Sequence, residues 1–302
     1  MRFLPHVAMV GACTLLFGHT ASSQERAVRE ETKSTTRIAL LIGNSGYRQE
    51  VPTQGLKAFK KLTNPCNDVT RIAAVLESAN WQQSEMIQIC DATRSQLSDA
   101  IAQFKDIYLS DDHALGFIYY AGHGVQVRNE TYLFGVDSFL DPQKAARVAT
   151  VNAGSSIFHG GVRLFSDLIS QVGDAGDGSI FIVVDACRET PVDQLAKADP
   201  KIAEAYFNAS RAYPRPALGI KLLYSTAYGE LASDGLSGGS PFALAFEEHL
   251  KAEGRIDPLV ARVIRSVKEK TINSKIQQLP DTTGSLNPPP PEGCLTSCGE
   301  TK

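Results

Sequence analysis

Two residues in this chain have types suited to covalent catalysis, and each stands at the end of a short apolar run. His123 lies in Tyr119-Tyr120-Ala121-Gly122-His123-Gly124, which completes the run Leu115 to Tyr120 (LGFIYY). Cys187 lies in Asp185-Ala186-Cys187-Arg188, directly after Ser179 to Val184 (SIFIVV). A thiolate attacks acyl carbons readily, and an imidazole can protonate a leaving amine and then activate water. Taken singly, a loop histidine with structural hydrogen bonds and a buried, inert cysteine are the ordinary readings. Placement is what raises the pair above that.

Both runs are continuous and rich in β-branched and aromatic residues, the pattern of strands buried on both faces of a parallel sheet. Ligands in such sheets bind beyond the carboxyl ends of the strands, so His123 and Cys187 are expected on one rim. Other elements alternate around these two. Arg37 to Ile42 (RIALLI) and Glu85 to Ile89 read as strands, and so does Ile220 to Tyr224. Helical spacing appears from Asn67 through Ala79, over Thr93 to Leu109, and in Arg163 to Val172. Pro241 to Leu250 and Pro258 to Lys268 read as the last helices, and Tyr132-Leu133-Phe134 as part of a short hairpin. Strands alternating with helices predict an α/β fold with a mostly parallel sheet covered on both sides.

The N-terminus predicts export. Arg2, an apolar run from Val7 to Phe17 and small residues at Ala21-Ser22-Ser23 fit a signal peptide over residues 1–23. Residues 24–36 form a polar linker, 37–275 the globular domain, and 276–302 a Pro-rich tail with two cysteines. The run is too short to span a bilayer permanently, so no membrane association beyond export is expected. The expected location is periplasmic or secreted. Net charge is −3 and no basic block appears, which speaks against a nucleic-acid partner. No Gly-x-Gly-x-x-Gly follows the first strand, against dinucleotide binding. Beyond the leader five cysteines remain, so in an oxidising compartment at least one lacks an internal partner. If Cys187 is that one, three pairings are open to the others; Cys66–Cys90 with Cys294–Cys298 is favoured. No His or Cys cluster with metal-ligand spacing accompanies Cys294 and Cys298, so no metal site is expected.

Four motifs together resemble the caspase superfamily, of the bacterial type related to paracaspases and metacaspases. They are RIALLIGNSGY (37–47), YYAGHG (119–124), VVDACR (183–188), and YSTA (224–227) with SPF (240–242). The resemblance runs from about Arg37 to Lys268. It implies a three-layer fold with a central sheet of about six strands, a His123–Cys187 dyad, and an oxyanion hole from the amides of Gly124 and Cys187. Animal caspases carry Gln before Ala-Cys and Gly two places after Cys; here Asp185 and Glu189 stand there, against cleavage after aspartate.

Specificity follows from charge. Asp185 is two residues before Cys187, so strand alternation puts both side chains on one side. Asp68 sits where the resemblance implies an S1-pocket acid, although a helix N-cap is what local physics predicts for it. Glu230 and Asp234 are candidates for a third acid, Glu230 the weaker because a solvated loop charge explains it. Paired carboxylates select a guanidinium or ammonium. The expected function is therefore an exported cysteine endopeptidase acting on polypeptides after Arg or Lys. The long polar segment 189–216 is a candidate for self-cleavage. The alternative is a silent caspase-like binding module. No cofactor is expected; calcium enters by resemblance alone, since Asp174-Ala-Gly-Asp177 lacks calcium-loop spacing and reads as a turn. A homodimer is left open.

Overall fold

The computed structural model describes residues 36–52, 54–127, 130–141, 158–172, 177–188, 218–236, 238–287 and 294–296. The predicted leader, all of the linker before residue 36, the segment 189–216, Asp174 and Cys298 lie outside the described residues.

Among the described residues a six-stranded sheet forms the centre. Its strands are β1 (Arg37–Gly43), β3 (Met86–Cys90), β4 (Leu115–Ala121), β8 (Ser179–Asp185), β9 (Ile220–Tyr224) and β10 (Asp281–Ser285). They lie in the order β10-β9-β8-β4-β1-β3. Five run parallel, and β10 pairs with β9 antiparallel. Strand alternation divides the apolar runs between two cores. Ala39, Leu41, Phe117 and Tyr119 face α1 (Pro65–Ser78), α4 (Pro241–Ala252) and α5 (Ile256–Thr271). Ile38, Leu40, Ile42 and Ile118 face α2 (Arg94–Tyr108) and a further helical segment, α3 (Leu164–Val172). The expected three-layer α/β architecture is present.

Several boundaries differ from the sequence reading for identifiable reasons. Helix α1 opens at Pro65, whose fixed φ and missing N–H suit a first helical position. Asp68 therefore sits within the first turn and is not the N-cap; Asn64 holds that position. The stretch read as one helix from Arg163 is the end of β7 (Phe158–Arg163), a π-helical segment Leu164–Ile169, and a final turn Ser170–Val172, together α3. Glu130 explains its start, because its carboxylate accepts from the amides of Phe165 and Ser166 at 2.8 and 3.2 Å. The hairpin around Tyr132 is larger than expected. Strands β5 (Gly124–Val127), β6 (Glu130–Leu140) and β7, with β2 (Lys57–Ala58), make a second, antiparallel sheet.

The segment 276–302, read as a tail, belongs partly to the domain. It supplies β10, and it returns at 294–296 to the core. Leu295 is fully buried, and its carbonyl accepts from Trp81 Nε1 at 2.7 Å. Short polar β10 (DTTGS) has no apolar pattern to announce it; pairing with β9 makes it a strand. Cys66–Cys90 is a disulfide with a Cα–Cα distance of 5.5 Å, and Cys294 is also disulfide-bonded. No helix among the described residues is long and apolar enough to cross a membrane.

Candidate active site

Strands β4 and β8 lie side by side with Ala121 opposite Asp185. Their chains leave the sheet at adjacent points, and the Gly122 amide donates to the Asp185 carbonyl at 3.2 Å. His123 and Cys187 thereby reach one open pocket, which they line with Asp68, Asp185, Asp234 and Ser240.

The imidazole of His123 is held by a group without side-chain identity. Its Nε2 lies 2.8 Å from the carbonyl oxygen of Lys60, in the segment between β2 and α1. Donation from Nε2–H to that oxygen leaves Nδ1 as the acceptor. Tyr47 meets the ring edge-on at 4.6 Å between centroids, and Phe59 lies at 5.1 Å. Burial pushes the imidazole below its usual 6.5, with the Lys60 carbonyl pulling the other way. Neutral imidazole is thus favoured near pH 7, the form that can take a thiol proton.

Cys187 carries a thiol outside any disulfide and is partly buried. The Ala232 amide donates to Sγ at 3.4 Å, and Sγ lies 3.6 Å from the Ala232 carbonyl. Gly124, the other expected oxyanion donor, is close: a Cβ there would sit 2.7 Å from Ala186 Cβ and 3.1 Å from the Cys187 carbonyl oxygen. That contact excludes any larger residue at 124.

The acidic wall is built around Ser240. Its amide is 3.2 and 3.3 Å from the two oxygens of Asp68, and its hydroxyl donates to Asp185 Oδ2 at 2.5 Å. The same Oγ caps α4 by accepting from the Ala243 amide at 2.8 Å. Burial pushes Asp68 up to about 8, and the neighbouring Asp185 charge adds to this. Burial also lifts Asp185, to about 6, against the hydrogen bond from Ser240. Asp234 clips its loop onto the start of α1 by accepting from the amides of Thr63 and Asn64 at 2.7 and 3.2 Å. Of the two candidate third acids, Asp234 lines the pocket. Glu230 does not: its side chain is exposed, and its carbonyl accepts from the Arg188 amide at 3.0 Å. Neighbours of the strand end are thus separated by chain direction, which sequence spacing does not carry.

Arg188, next to Cys187, is 1% exposed. Its guanidinium lies 4.0 Å over the Tyr224 ring and donates to Gln126 Oε1, the Thr226 carbonyl and Asp281 Oδ2 at 2.7, 3.2 and 3.0 Å. The loop bearing the thiol is in this way tied to β5, to the loop after β9, and to β10. Cys66, Cys90 and Asp91 bring potential ligand atoms within 4.8 Å of one another, but the cysteines are bonded to each other and Asp91 Oδ1 accepts from the amides of Ser45 and Gly46.

Sequence reasoning placed Asp68, Asp185, His123 and Cys187 as candidates, and the structure brings them to one pocket. It missed the Lys60 carbonyl, which no residue type could signal. The bridging role of Ser240 was also missed, although the SPF motif marked the position.

Comparison with known proteins accords with this geometry. Residues 36–288 match the caspase domain of peptidase family C14. Human mucosa-associated lymphoid tissue lymphoma translocation protein 1 is 26% identical over 121 residues, 40% of this chain and 13% of the relative. The mouse homolog is 28% identical over 102 residues, covering 34% and 11%. This chain thus spans a small fraction of either relative's length. The crystal structure of protein GSU0716 from Geobacter sulfurreducens superposes with a TM-score of 0.55 at 16% identity, covering 87% of this chain and 98% of that one, a likeness of fold. Matched from β1 to just beyond β10, the chain belongs to the caspase-domain peptidase family.

Proposed function

We propose that this protein is an exported cysteine endopeptidase that cleaves polypeptides after Arg or Lys. The observation that carries the proposal is one pocket lined together by His123, Cys187, Asp68, Asp185 and Asp234. A guanidinium entering beside these carboxylates finds charge-assisted hydrogen bonds, whereas an acidic P1 side chain meets like charge. Cys187 Sγ then attacks the following carbonyl carbon, giving a thioester as the amine departs with a proton from His123. His123 next takes a proton from water, and hydrolysis returns the thiol. The amides of Gly124 and Cys187 are the proposed oxyanion donors; one such donor contributes roughly 10²–10³ in rate. The Cys66–Cys90 disulfide supports an oxidising location, periplasmic or secreted.

Matched P1-Arg, P1-Lys and P1-Asp fluorogenic peptides test this, with and without calcium and alongside Cys187→Ala. Turnover of the basic peptides that vanishes in the variant is expected. Preference for P1-Asp, or turnover that survives in Cys187→Ala, overturns the assignment, and silence on all three favours a binding module. Self-cleavage is proposed within 189–216, where Lys197, Lys201, Arg211 and Arg215 supply basic sites. Intact mass distinguishes it: the wild type splits there and Cys187→Ala stays whole. Identical single chains remove the idea.

A further inference from the structure

His123 leaves the sheet between two glycines that are themselves tied down: the Gly122 amide donates to the Asp185 carbonyl, and Gly124 pairs with Leu133 of β6. At His123 itself the carbonyl accepts from the Phe134 amide at 3.3 Å, and two buried phenols complete the hold. The His123 amide donates to Tyr47 Oη at 2.8 Å, and Tyr120 Oη donates to the His123 carbonyl at 2.7 Å. Both tyrosines are 0% exposed. Tyr47 comes from the stretch after β1, and Tyr120 from β4 itself. Their hydroxyls lie 3.4 Å apart and share a further anchor on β6. Tyr120 Oη accepts from the Phe134 amide at 3.0 Å, and the Phe134 carbonyl lies 3.0 Å from Tyr120 Oη and 3.3 Å from Tyr47 Oη.

We propose that Tyr47 and Tyr120 are positioning residues for His123, a pair of phenols that grips both polar groups of its backbone and sets its imidazole. This rests on the proposed role of His123 in peptide cleavage. Three features of the surroundings support it. The Tyr47 ring also contacts the imidazole edge-on, so one side chain holds backbone and ring together. A Cβ at Gly122 would lie 2.8 Å from each of the two hydroxyls, so the glycine is what admits the pair. Burial holds both phenols well above their usual 10, so they stay protonated wherever the enzyme works. The physical reason for such a grip is that the imidazole hangs from a loop, and small displacement of a proton-transfer group costs rate steeply.

Purified full-length protein and its Tyr47→Phe, Tyr120→Phe and double variants test the proposal. Tyr108→Phe is the control; it removes a buried hydroxyl at the other end of the sheet. On the P1-Arg peptide, each single variant is expected to lower kcat about 10- to 100-fold with KM within roughly twofold. The double variant should fall little further, because either loss opens the grip. In ¹⁵N-histidine spectra, assigned with His123→Gln, the wild-type imidazole should show one Nε2–H tautomer and a depressed pKa. The Tyr variants should show averaged nitrogens and a pKa moved towards 6.5, while Tyr108→Phe leaves both unchanged. His123 signals that superimpose on wild type in the Tyr variants overturn the proposal, and so does a kcat loss equalled by Tyr108→Phe. If no peptide is cleaved by the wild type, the spectra still decide: a shifted His123 upholds the grip while the peptidase reading falls.

Discussion

Asp68 and Asp185 are two buried carboxyl groups that line one pocket. Among the described residues no Lys or Arg lines the pocket with them, and burial pushes them up to about 8 and about 6. On the proposed specificity a cationic P1 group displaces protons as it binds, and binding tightens as pH rises. KM for P1-Arg peptides is expected to fall between pH 5 and 8, with the steepest change as Asp68 ionises; a pH series of initial rates checks this. The stability linkage has the opposite sign. Unfolded Asp68 titrates near 3.9, so the stability it confers is complete below that pH and is lost as pH climbs through about 8. Asp68→Asn is accordingly expected to melt higher than wild type at pH 8 and about equally at pH 4. Its KM for P1-Arg should rise roughly 30-fold or more, since losing one partner of a buried charge pair costs about 2 kcal/mol or more.

The element that presents Asp68 is the first turn of α1, and its position depends on two fastenings. Gly43 is one: a Cβ there would lie 2.5 Å from the Pro65 carbonyl oxygen, so only glycine lets the helix start against the end of β1. The disulfide is the other, joining Cys66 in that turn to Cys90 at the end of β3. Replacing both cysteines by serine should cost about 3 kcal/mol of stability for a loop of this length, measured by urea unfolding. Because Pro65 and Asp68 line the pocket from that turn, KM should rise more than kcat falls. An unchanged KM would mean that the helix start is held by its packing alone.

Among the described residues the candidate site and the anchoring of residues 294–296 lie at opposite ends of the sheet. The site gathers beyond the carboxyl ends of β4 and β8. At the other end Arg37, the first residue of β1, stacks over Trp81 at 4.7 Å, and Trp81 holds the Leu295 carbonyl. Leu295 is buried in the core under α5, and its amide donates to the Gly254 carbonyl at 2.9 Å. It lies past residue 288, where the family match ends. Leu295→Ala should cost about 2–5 kcal/mol, as large-to-small core changes do, while kcat per folded molecule stays at the wild-type value. Thermal melts with active-site titration separate the two.

What the sequence determined by itself was five strands of the central sheet and the two residues that stand just beyond the ends of β4 and β8. Runs such as LGFIYY and SIFIVV are buried on both faces, so composition alone marks them as strands, and their ends locate His123 and Cys187. Helices α1, α2, α4 and α5 were legible because one apolar stripe at helical spacing suffices. Tertiary structure decided whatever depends on a partner distant in the chain. Polar β10 is a strand because β9 lies beside it, and Leu295 is core because Trp81 and α5 make room for it. Asp234 reaches the pocket and Glu230 turns away because the loop between β9 and α4 is pinned at Thr63 and Asn64. The Lys60 carbonyl and the two phenols around His123 are invisible to residue spacing. A backbone oxygen has no sequence identity, and a hydroxyl's acceptor is set by which strands the fold brings together.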